Sequence, residues 1–157
     1  MEKFYGDLKI GNIGERQVAN YFQQKGMTIL EYNNDYKYDF KGEKGGKTLT
    51  FEIKTDRWEY FNKTKTGNMF IELTCNNKPS GISSTQADYF VYYYPDLEVF
   101  FLIKTEDLRR LIQDEGFSII TQSGDNGKVS GVCINRHSYK EYFHINKIPK
   151  DTSIWTD

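Results

Sequence analysis

A chain of 157 residues that is 38% hydrophobic, 16% aromatic and 27% charged has the composition of one folded domain, globular and not disordered. Its net charge of −1 excludes a global electrostatic pull on polyanions, so any site for nucleic acid has to be local. Cys75 and Cys133 stand far apart with no C-x-x-C or neighbouring His, which speaks against a zinc site or a disulfide framework. The N-terminus lacks an apolar leader, and the longest apolar runs, Tyr89 to Tyr94 and Val99 to Ile103, are too short to span a bilayer. A soluble cytoplasmic protein with no membrane contact is the expectation.

In chain order, Ile13, Val18, Tyr21 and Phe22 fall at helical spacing between Asn12 and Lys25, and Gly26 supplies a stop. A strand follows over 27–32. Another is predicted over 36–40 on its alternating aromatic residues, then a glycine turn over 42–46 and a strand over 48–55. The last two strands read as a hairpin. Residues 56–68 have no sustained period and are predicted as an exposed connection carrying Arg57, Lys63 and Lys65, interleaved with Trp58, Tyr60 and Phe61.

Strand character returns over 68–74, and a short helical turn is predicted over 84–88. Two further strands run over 89–94 and 99–103. Thr105 has the chemistry of an N-cap. Glu106 and Asp107 follow in the first turn, and Leu108, Leu111 and Ile112 form an apolar stripe ending before Gly116. Strands near Phe117 and over 129–134 flank a turn at 123–127, followed by an irregular tail.

The chemistry concentrates in the hairpin. In the stretch 48–55, Leu49, Phe51 and Ile53 alternate with Thr48, Thr50, Glu52 and Lys54, so Glu52 and Lys54 share one strand face. Asp39 lies across the turn, and same-face residues of adjacent antiparallel strands sit within several ångströms. Two converging carboxylates repel each other unless a cation or proton intervenes. Mg²⁺ prefers oxygen ligands, is commonly held by one or two carboxylates, and keeps positions open for water and phosphate. The Ile53 backbone carbonyl adds a third oxygen, and Lys54 is a compact cation suited to a phosphoryl transition state.

Asp39 followed by Glu52-Ile53-Lys54 resembles the D…(D/E)-x-K signature of the PD-(D/E)XK nuclease superfamily. With Gly14-Glu15-Arg16 on the preceding helix, it is nearest in pattern to the archaeal Holliday-junction-resolvase-like branch. The likeness spans about residues 10–55 and extends toward Asp88. Tyr38 stands where the family name has proline, and no long amphipathic helix directly follows Lys54.

The resemblance implies an α/β, restriction-endonuclease-like fold: a mixed central sheet flanked by helices, with a core over about 10–116 and a C-terminal β-containing extension over 117–157, in one domain. It implies Mg²⁺ held by Asp39, Glu52 and the Ile53 carbonyl, with Mn²⁺ substituting. Lys54 assists the reaction and Glu15 completes the acidic cluster. Glu15 has a second reading as the partner of Asn12 in a capping box. Glu72 and Gln86 are additional candidates, and Arg57, Lys63, Lys65 and Lys78 are candidates for phosphate contact.

The expected activity is metal-dependent hydrolysis of DNA phosphodiesters by activated water; the resemblance brings junction or branched DNA in as one candidate substrate, and the sequence does not choose between endo- and exonucleolytic cutting. RNA stands beside DNA as a substrate, and a homodimer is expected where two strands are cut. The rival reading is a non-catalytic nucleic-acid-binding or assembly module that keeps the fold, and a third is a phosphoesterase acting on a small nucleotide. His137 and His144 lack ligand spacing and read as ordinary residues.

Overall fold

The computed structural model describes residues 2–33, 35–124 and 127–156, with side chains from Lys9 onward. In chain order its elements are α1 (Glu2–Gln24), β1 (Thr28–Tyr32), β2 (Phe40–Lys44), β3 (Lys47–Thr55), α2 (Trp58–Asn62), β4 (Asn68–Cys75) and β5 (Lys78–Pro79). After a 3₁₀ turn at Gly81–Ser83 come β6 (Tyr89–Tyr94), β7 (Val99–Lys104), α3 (Thr105–Glu115), β8 (Ile120–Gly124), β9 (Gly127–Asn135) and β10 (His144–Lys147).

Six strands form a mixed sheet in the order β1-β2-β3-β6-β7-β10, parallel at the β3/β6 junction and antiparallel elsewhere. Its central strand β6 is apolar on both faces because both are covered. Val91 and Tyr93 pack toward α1, with Val18, Phe40, Phe51 and Phe100. Phe90, Tyr92 and Tyr94 face the opposite way, into a second core with Met69, Ile71, Leu108, Leu111, Val132 and Ile134. That second core is roofed by α3 and by an antiparallel sheet in the order β5-β4-β9-β8. The C-terminal extension therefore supplies β9, which pairs with β4, and β8, which pairs with β9, and its Val132 and Ile134 are fully buried.

Several expectations need correction. The first helix begins at Glu2 instead of Asn12, because Ile10 continues the apolar stripe of Ile13, Val18 and Phe22 against the sheet. Asn12 is then an exposed mid-helix residue, and the capping-box reading of Glu15 fails.

The strand predicted over 36–40 is mostly bends, with β2 starting at Phe40 and running through Gly42 to Lys44, and the hairpin turn contracts to Gly45 and Gly46. Asp35 Oδ1 accepts the Lys37 N–H at 2.8 Å, a local bond that competes with strand pairing.

The predicted helical turn over 84–88 is replaced by the 3₁₀ turn at Gly81–Ser83 followed by extended chain. The connection after β3 contains the short helix α2. Thr105 is the first residue of α3 and makes no cap bond, while Gly116 does end that helix in the left-handed region at φ 63°. Asp125 and Asn126, the centre of the expected turn, lie outside the described residues. The tail contains β10, which pairs with β7. Among the described residues no helix is long and apolar enough to cross a membrane.

Candidate functional site

The site begins with the pleat of β3. Phe51, 2% exposed, packs with Phe40, Phe22 and Tyr89 on the α1 side of the sheet, and Ile53 lies on the same side. Glu52 and Lys54 consequently turn to the other face. The hairpin register pairs Phe40 with Phe51 and Lys41 with Thr50. Continued by one residue, it sets Asp39 opposite Glu52.

Asp39 lies just outside β2 and uses its side chain as a strand partner. Its own N–H donates to the Phe51 carbonyl at 2.8 Å, and its Oδ2 accepts the Ile53 N–H at 2.7 Å. A strand residue presents its N–H and C=O to the same neighbour, so the Ile53 carbonyl also points past the end of β2 toward Asp39.

Glu15 reaches the group from α1. Gly14, the residue before it, is buried against the end of β3, where a Cβ would sit 1.7 Å from Thr55 Oγ1. Only glycine allows this approach of helix to strand, and the approach brings Glu15 over Asp39. Gly81 plays a comparable part on the far side: at φ 54° it lies against β4, where a Cβ would meet the Glu72 carbonyl oxygen at 2.5 Å.

Burial and mutual charge shape the acidity of the cluster. Burial first, then the charge of Asp39, pushes Glu15 up to about 8. Glu52 also rises to about 8, through burial first and then the charge of Asp39, with Glu15 and Glu72 adding to the push and a hydrogen bond from Thr85 opposing it. Burial raises Asp39 to about 6, against the pull of the Ile53 N–H and of Glu15. Burial and the mutual repulsion of the carboxylates thus favour the protonated form of Glu15 beside Asp39.

The candidates separate into groups. Asp39, Glu15, Glu52 and the Ile53 carbonyl converge, and Lys54 lies exposed on the Glu52 face of β3. Glu72, on β4, acts on Glu52 through its charge. Gln86 has an exposed side chain, and its backbone N–H donates to the Lys37 carbonyl at 2.7 Å.

Arg57 is not a free cation. It is buried, and its guanidinium donates to both oxygens of Asp96 at 3.0 and 2.8 Å and to the Thr156 carbonyl at 2.7 Å. Lys63 and Lys65 are exposed and line a separate cavity of about 740 Å³ beside Tyr60 and Phe61. Lys78 is exposed on β5, next to a cleft of about 490 Å³ onto which Glu52 opens with Tyr36, Pro79, Ser80, Gly81 and Ser84.

Two residues escaped the sequence reading. Thr85 is 3% exposed, and its Oγ1 lies 3.1 Å from Glu52 Oε1, 3.0 Å from the Lys37 carbonyl and 3.2 Å from the Ala87 N–H. Arg109, from α3, fixes the backbone beneath it, donating to the Ile82 carbonyl at 2.9 Å and the Thr85 carbonyl at 2.6 Å. No local pattern marks either one, since each acts across long sequence separations.

A divalent cation would meet two carboxylates and one carbonyl on one side and the open cleft on the other. Among the described residues no three acidic, His or Cys side chains form a ready three-ligand cage. The donor set suits Mg²⁺, which accepts one or two carboxylates and retains waters, better than a metal needing an all-protein cage. The crowding that raises the carboxyl pKa values is also what a cation at this point would relieve.

No protein-family model matches the chain, and no curated protein matches it. Among solved structures the chain is similar to that of a bacterial homing endonuclease, I-Ssp6803I, with 22% sequence identity, coverage of 62% of this chain and 68% of that one, and a TM-score of 0.48.

Proposed function

We propose that this chain is a Mg²⁺-dependent nuclease that hydrolyses DNA phosphodiester bonds. The observation that carries the reading is the convergence of Asp39 and Glu52 across the β2/β3 hairpin, with Glu15 over them and Lys54 on the strand face of Glu52. Asp39, Glu52 and the Ile53 carbonyl would hold the metal, and Mn²⁺ would take its place. When bound, the metal supplies Lewis-acid polarisation of the phosphate and lowers the pKa of a bound water.

The chain's own groups complete the task. With a cation in the cluster, Glu15 would release its proton to solvent, leaving Glu15 ionised beside Asp39 and Glu52. Lys54 directs positive charge at the phosphoryl oxygens, where negative charge builds in the transition state. The cleft beside Glu52 receives the backbone, with Lys78 at its margin as a phosphate contact. Selectivity for junctions or branches belongs to this same proposal.

The test is cleavage of labelled plasmid, linear and branched DNA in Mg²⁺ or Mn²⁺, with Glu52→Ala and Asp39→Ala as controls. Wild-type cutting and loss in both variants is the expected result. Equal cutting by wild type and Glu52→Ala defeats the mechanism. The rival reading is a non-catalytic nucleic-acid-binding module that keeps the fold. That reading predicts DNA binding that persists without cleavage and without metal uptake by calorimetry.

A further inference from the structure

We propose that α2 and the turn after it form a stacking platform for unpaired nucleobases, so that the preferred ligand carries a single-stranded stretch; the proposal takes its setting from the nuclease reading. Helix α2 inverts the usual amphipathic pattern. Its acid, Glu59, is 9% exposed, whereas Trp58, Tyr60 and Phe61 are 55%, 37% and 50% exposed. Glu59 acts as the anchor: its Oε1 accepts the Gly67 N–H at 2.7 Å, and its Oε2 lies 2.8 Å from Arg136.

Arg57 braces the rings, its guanidinium 5.0 Å from the centre of Tyr60 and 4.6 Å from that of Phe61, and Lys150 Nζ lies 4.5 Å from the centre of Tyr60. Trp58 and Phe61, each about half exposed, leave large apolar surface to solvent that a ligand would cover.

The neighbouring charges indicate which ligand. Lys63 turns the chain at φ 51°, and Lys63 and Lys65 are exposed with no ion pair among the described residues. With Tyr60 and Phe61 they line the cavity of about 740 Å³. Flat apolar surfaces beside two cations fit a ligand built of flat apolar bodies on an anionic backbone, which is a single strand of nucleic acid. Bases in a duplex are stacked on one another and offer no free faces.

The platform lies only a few residues along the chain from the strand that carries Glu52 and Lys54. It follows directly on β3, and the Trp58 N–H donates to Asp56 Oδ1 at 2.7 Å. Four residues of chain hold Trp58 within about 14 Å of Lys54.

The experiment measures binding in EDTA, where no cutting occurs, of fluorescent oligo(dT) and of a duplex of equal length. Wild type is expected to prefer oligo(dT) and to show quenching of Trp58, since Trp155 is only 3% exposed. Trp58→Ala and Phe61→Ala should each weaken oligo(dT) binding by roughly 5- to 150-fold, while Trp58→Phe retains most of it. Lys63→Glu with Lys65→Glu should lower the salt slope by about 0.7 for each phosphate no longer neutralised.

Unchanged oligo(dT) affinity in the Trp58→Ala/Phe61→Ala double variant overturns the proposal. So does a double variant that loses self-association while binding DNA normally, which marks the rings as a contact between copies of the chain. If aromatic-dependent binding persists in a protein that never cuts DNA, the platform stands and the nuclease reading falls. If Glu52-dependent cutting persists with aromatic-independent binding, the reverse holds.

Discussion

Thr85 Oγ1 lies 3.1 Å from Glu52 Oε1 and 3.0 Å from the Lys37 carbonyl, but it has a single proton to give. On the proposed function Glu52 would be ionised and hold the metal, and that proton would then go to the carboxylate and fix its rotamer. Thr85→Val should therefore weaken Mn²⁺ or Ca²⁺ binding by about 10- to 100-fold. Thr85→Ser should restore it, since serine keeps the hydroxyl. Calorimetric titration of the three proteins checks this, and equal affinity in wild type and Thr85→Val would remove Thr85 from the site.

The crowded carboxyls make a statement about stability. Glu15 and Glu52, raised to about 8, and Asp39, raised to about 6, bind more protons in the folded chain than in the unfolded one between their two pKa values. Stability from these groups is complete below about pH 4 and is lost as pH climbs through 6 to 8. The metal-free protein should accordingly melt lower at pH 8 than at pH 5. Each kcal/mol lost lowers Tm by about 2–4 °C at this chain length. Glu52→Gln should flatten the slope, and Mg²⁺ should raise Tm most at pH 8. A metal-free Tm that climbs from pH 5 to pH 8 would contradict the assignment.

Arg57 and Asp96 form a buried pair with side chains 5% and 8% exposed. Burial alone would raise Asp96, but its bonds to Arg57 and Lys150 outweigh burial and hold its carboxyl below the usual range. This contribution is present at neutral pH and disappears as the solution is acidified through the depressed pKa. Removing one partner of a buried pair costs about 3–5 kcal/mol. Arg57→Ala should fall toward the lower end, because Lys150 Nζ remains 2.9 Å from Asp96. Lys63→Ala should stay within about 0.5 kcal/mol of wild type, and urea melts of the two variants compare them directly.

Gly14→Ala tests the placement of Glu15. The added methyl collides with Thr55 Oγ1, and overpacking of this kind costs about 1–3 kcal/mol. Thr55 Oγ1 is buried without a hydrogen-bond partner, so Thr55→Ala by itself should be mild and should recover part of the loss in the double variant. Denaturant melts of the four proteins give the coupling. Strict additivity would mean that helix and strand do not meet here.

The hairpin chemistry was legible because it is local. The alternation over 48–55 fixed which residues share a face, and a tight turn left few registers by which Asp39 could meet Glu52. The helix over 105–115 was legible for the same reason, with its apolar stripe and a terminal glycine. Where tertiary contact decides, the pattern failed. Ile10 carried α1 past Asn12 to Glu2, and Asp35 bent a segment whose aromatic alternation suggested a strand. Arg57 looked like a loop cation until Asp96, far along the chain, claimed it. Thr85 and Arg109 carried no signal at all, because what gives them meaning is a carboxylate on another strand and a backbone turn under another helix.

The pairing of β4 with β9 bears on the order in which the protein matures. Met69 waits for Ile134, and Phe70 for Cys133, so the second sheet cannot close until some sixty further residues have left the ribosome. Glu15, Asp39 and Glu52 emerge well before that, but the turn that carries Thr85 is seated on β4 and clamped from α3. At about 5–20 residues per second, the nascent chain spends seconds with its acids synthesised and their support unbuilt.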